Sequence, residues 1–101
     1  MSSRLSYLVL IQDNTRTEPT DAEWIDFITT ARESGMFEGG STIGERVLLG
    51  ESGSARSTRH VVGFMRFDTD DRQRLLDLLE THPVVRRGGS IELCELPRDG
   101  G

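Results

Sequence analysis

The stretch His82-Pro83-Val84-Val85-Arg86-Arg87-Gly88-Gly89-Ser90-Ile91-Glu92-Leu93-Cys94-Glu95-Leu96 decides how this chain is read. A leucine-rich helical segment precedes it. Proline disfavours helix in the residue before it, so Thr81-His82-Pro83 reads as a helix end. Gly88-Gly89 supplies a turn, and Ser90 to Leu96 reads as a final strand. Upstream, Asp68-Thr69-Asp70-Asp71 places carboxylates at the positive end of the helix that carries Leu75, Leu76, Leu78 and Leu79. Before it, His60 to Phe67 reads as a strand.

Towards the N-terminus the same signals recur. Leu5 to Ile11 is apolar and β-rich and reads as a buried strand. Thr20-Asp21-Ala22-Glu23 is a capping box, and Trp24, Phe27, Ile28 and Ala31 follow at helical spacing. Gly35 supplies a left-handed stop, so this helix spans about Asp21 to Ser34. Met36 and Phe37 open a second strand with Gly39-Gly40 inside it, the mark of a bulge or of a close approach by another backbone or a ligand. Val47-Leu48-Leu49 reads as a short piece of strand before the Gly- and Ser-rich loop Gly50 to Thr58. The resulting βαββαβ order predicts an α+β, ferredoxin-like domain, an antiparallel sheet with two helices on one face. Residues 1–101 form one domain, with 97–101 as a frayed tail.

Bulk properties restrict the function. The chain has 101 residues, 35% hydrophobic and 29% charged, with a formal net charge of -5. That charge argues against nucleic acid or an anionic membrane as partner. The single cysteine, Cys94, excludes an intrachain disulfide and fits a reducing compartment. The apolar run at the N-terminus is too short to span a membrane, and no signal-peptide cleavage pattern follows it, so the cytoplasm is the expected location.

Two helices cover only one face of such a sheet. In the third strand Val61, Met65 and Phe67 share one face, and His60, Val62, Phe64 and Arg66 share the other. In the first, Tyr7, Val9 and Ile11 alternate with Ser6, Leu8, Leu10 and Gln12. Both faces are substantially apolar, and an open face of that kind is rarely left to water. The expectation is a homodimer in which two sheets enclose a shared interior, a dimeric α/β barrel.

At this point the chain resembles the YCII-related family, including its DGPF-containing branch of small dimeric α/β-barrel proteins. The likeness rests on Tyr7-Leu8-Val9-Leu10-Ile11, on Gly35-Met36-Phe37-Glu38-Gly39-Gly40, and on Gly63-Phe64 followed by Asp68 and Asp70-Asp71. His82-Pro83 with a glycine turn before Ile91-Glu92-Leu93 completes it. The DGPF-type segment is replaced by Gly50-Glu51-Ser52-Gly53-Ser54-Ala55-Arg56. The histidine of the first helix, which with an aspartate suggests catalysis in YciI-like members, has no counterpart here. His82 stands where that aspartate would be, so a borrowed His–Asp mechanism fails.

Two functions from different classes follow. The first is a protein that binds a small, anionic ligand in a pocket at the dimer interface, lined by Tyr7, Glu38, His60, Arg66 and Glu92, with His82 at the cleft mouth. The second is a cofactor-free isomerase, lyase or monooxygenase-like enzyme, with His60 as general base and Arg66 as anion stabiliser. Each residue also has a structural reading. His60 fits a solvated rim position, and His82 a cationic cap at a helix C-terminus. Arg66, Glu38 and Glu92 fit cross-strand ion pairs, and Tyr7 fits interface packing. Cys94 reads as a small buried hydrophobe, and Arg86-Arg87 as solvated charges. No His, Cys, Asp or Glu spacing suggests a metal, and no cofactor is expected.

Overall fold

The computed structural model describes residues 4–51 and 53–97; the expected tail from 98 onward lies outside the described residues. The chain runs β1 (Leu5–Gln12), α1 (Asp21–Glu33), β2 (Phe37–Thr42), β3 (Val61–Thr69), α2 (Arg72–Leu79), α3 (Pro83–Arg86) and β4 (Ile91–Leu96). The strands form one sheet in the order β2-β3-β1-β4, with every pairing antiparallel. This is an α+β fold, compatible with the ferredoxin-like arrangement.

The local signals account for most boundaries. The capping box opens α1: the Glu23 amide donates to Thr20 Oγ1 at 3.2 Å, and the Thr20 amide donates to Glu23 Oε1 at 3.0 Å. Two of the amides that a helix start leaves unpaired are thereby satisfied. Gly35, at φ 77°, makes the left-handed exit. Asp71 caps α2 by accepting from the Arg74 amide at 3.1 Å.

Period-two alternation then decides the core. Tyr7, Val9 and Ile11 of β1 and Met65 and Phe67 of β3 share one sheet face. They pack with Phe27 and Ala31 of α1, Leu75 and Leu79 of α2, and Val84 of α3 in a single cluster. All helices therefore lie on that face. The other face carries a row of Glu92, Leu10 and Phe64 and a row of Cys94, Leu8 and Arg66.

Three expectations are corrected and one element is added. Val47-Leu48-Leu49 forms no strand; the segment from Ile43 to the start of β3 is irregular among its described residues. β3 starts at Val61 rather than His60, because the Val61 amide donates to Thr58 O at 2.9 Å and closes a turn that contains His60. The leucine-rich helix does end before Thr81-His82-Pro83, but a short further helix, α3, follows it. Proline holds His82 in extended backbone (φ -59°, ψ 136°) and itself takes the first position of α3, where its missing N–H costs nothing. Finally, Arg87 is not simply solvated: its guanidinium pairs with Glu23 of α1 and donates to Thr17 Oγ1 at 3.0 Å.

Candidate functional site

The sequence-predicted site residues do not converge. Tyr7 is buried on the helix-covered face, directly across from Phe67, and is unavailable to a pocket on the opposite face. Arg66 and Glu92 share the helix-free face, but β1 lies between their strands and their rows differ, so they form no ion pair. Glu38 is the extra residue of a bulge between Phe37 and Gly39 and is exposed. His60 is exposed in its turn, where its carbonyl accepts from the Asp13 amide at 3.0 Å.

His82 is fully buried instead of lying at a cleft mouth. Its ring sits 5.1 Å from Trp24 in a T-shaped contact and 4.7 Å from Phe27. Nδ1 accepts from the Val84 amide at 3.1 Å, so the imidazole caps the N-terminus of α3 as a neutral acceptor. Burial pushes its pKa down to about 4, the reverse of the cationic cap expected. Nε2 is buried with no partner among the described residues.

A concave site exists elsewhere. Between α1 and strands β2 and β3 lies a cleft of about 740 Å³. Trp24, Ile25 and Ile28 of α1 form one wall, and Phe37 and Met65 face them from the sheet. Gly63 shares the helix-facing row with Ile11 and adds no side chain to the floor. Gly40 lets β2 and β3 approach closely: a Cβ there would run into Phe64 O and lie 2.9 Å from Met65 Cα. Both readings of Gly39-Gly40 are present: Gly40 approaches the β3 backbone, whereas a Cβ at Gly39 would meet nothing within 4 Å and Gly39 instead closes the bulge at Glu38.

The cleft is apolar with charged ends. Asp21 and Arg32 lie eleven residues apart on α1, roughly 16 Å at 1.5 Å per residue. Arg32 makes no ion pair among the described residues, and Thr42, paired with Gly63 on the helix-facing row, is the hydroxyl-bearing residue of β2 at the cleft. The missed signal is Ile25. It is 64% exposed and widens the apolar stripe of α1 beyond what Phe27 and Ala31 need to face the core. His60 is not among the lining residues.

Fold and site together define a small α+β domain with an apolar, charge-tipped cleft on its helical side. No family model matches the chain, and no curated protein does either.

Proposed function

We propose that the protein binds a small monoanionic molecule with an apolar body in the cleft between α1 and the β2–β3 edge. The observation that carries this reading is the lining itself. Apolar walls of a size usual for small-molecule sites flank the body, and a guanidinium with no carboxylate partner among the described residues stands at one end. A planar, permanently charged fork suits a carboxylate or a single phosphate oxygen pair. The enzyme reading loses support here, because His60 lies outside the lining and His82 is buried in a structural cap.

The proposal has a second part, a homodimer through the helix-free sheet face. Leu8, Leu10 and Phe64 are only half-buried there and Val62 is 37% exposed, which favours a covering surface. The likeness to the YCII-related family belongs to the same proposal, and a reducing cytoplasm suits the lone Cys94.

Trp24 is the only tryptophan and lines the cleft, so its emission reports occupancy. Octanoate is expected to shift that emission saturably, and 1-octanol to bind more weakly. Arg32→Ala should remove about tenfold of the preference for octanoate, the scale of one charged hydrogen bond. An emission spectrum unmoved by millimolar octanoate overturns the proposal.

A further inference from the structure

We infer that Val47-Leu48-Leu49 is an apolar lid that folds onto the cleft when a ligand occupies it. The inference rests on the proposed binding site. These residues are 74%, 62% and 85% exposed, an unusual state for three consecutive apolar side chains. They belong to the segment that leaves the cleft at Thr42, which is itself a lining residue.

The geometry of that segment suits a hinged flap. At its root the Ile43 amide donates to Val62 O at 2.9 Å. Arg46 then clasps the opposite side of the neck, donating to Thr58 O at 2.8 Å and to Val61 O. The clasp holds the neck beside Val62, a second lining residue. Arg46 and Gly50 bracket the moving part, and a Cβ at Gly50 would meet nothing within 4 Å. Gly50 also has φ 82°, a conformation other residues rarely adopt.

Reach is sufficient. From Arg46, held at the rim, the three residues to Leu49 span up to about 10 Å when extended, enough to turn back over the adjoining cleft. Connection through the rim gives the triplet a high effective concentration at its own cleft, which favours this occupant over a second copy. The energetic terms are closely matched. Burying three apolar side chains is favourable, and ordering the backbone that carries them opposes it by a similar amount. A ligand that presents apolar surface to the triplet tips that balance towards closure.

The test compares the intact chain with a Val47→Ser/Leu48→Ser/Leu49→Ser variant, using octanoate as probe and Trp24 emission as readout. Octanoate should leave the variant about tenfold faster, with a much smaller change in association rate, as expected of a lid. Octanoate should also slow tryptic cleavage after Arg46 in the intact chain and not in the variant. Unchanged dissociation and cleavage, with octanoate still bound, overturns the lid and leaves the binding site standing. No Trp24 response in either protein removes both. A loop effect that grows with protein concentration assigns the triplet to a second copy and overturns the intramolecular lid.

Discussion

At the residue scale His82 combines three constraints in one ring: it is buried, it accepts the Val84 amide, and it packs between Trp24 and Phe27. The neutral form alone meets all of them. Its folded pKa of about 4 lies below the ordinary 6.5, so between these values the unfolded chain binds a proton that the folded chain refuses. Stability therefore falls as pH drops from about 6.5 towards 4 and levels off below. Glu23 adds a separate, lower step. Its hydrogen bond from Arg87, helped by the Thr20 amide, holds its pKa at about 2 instead of 4.5, so its contribution is lost as pH falls between those values. Urea midpoints from pH 8 to pH 2 should show both steps. His82→Ala should remove the upper step and keep the lower one. At pH 7 it should cost about 3 kcal/mol, roughly 1 from the lost cap and 2 from the cavity beside the rings. A variant that keeps the upper step would show that another group titrates there.

At the scale of elements, the close approach of β2 to β3 at Gly40 fixes the edge on which the cleft is built. A Cβ at position 40 would meet the β3 backbone, which cannot swing aside as a flexible side chain would. Gly40→Ala should thus destabilise the fold by about 1–3 kcal/mol, the usual range for overpacking, and weaken octanoate binding with it. Chemical denaturation and the Trp24 titration measure the two effects. Elements with strong local chemistry were legible in the sequence. The capping box at Thr20, the stop at Gly35 and the alternation through β1 and β3 are each local in origin, and each is present. The failures involve long-range partners. α3 depends on a buried imidazole held by residues of α1, and Arg87 finds Glu23 across 64 positions of sequence. The cleft was missed for the same reason. It is a gap between elements, and Ile25 signals it only once the position of the core-facing stripe is known.

At the scale of the molecule, the helix-free face decides the proposed association. Phe64 pairs with Leu10 near its centre, so a charge there would be left unpaired in any sheet-to-sheet contact. Sedimentation at micromolar concentration should give a dimer for the intact chain and a monomer for Phe64→Glu, with self-association weakened by about 100-fold or more. An intact chain that sediments at its monomer mass of 11.3 kDa removes the homodimer from the proposal. The strand order has a different effect at the perimeter. β2 and β4 are outermost, and each presents a rim of backbone groups to which a foreign strand could add. The kink at Glu38 bends one rim out of flatness, and the carboxylates of Glu92 and Glu95 charge the other. Fibril-like stacking is thereby discouraged at both borders, and the molecule can keep a greasy face for a chosen neighbour without becoming a seed for unlimited growth.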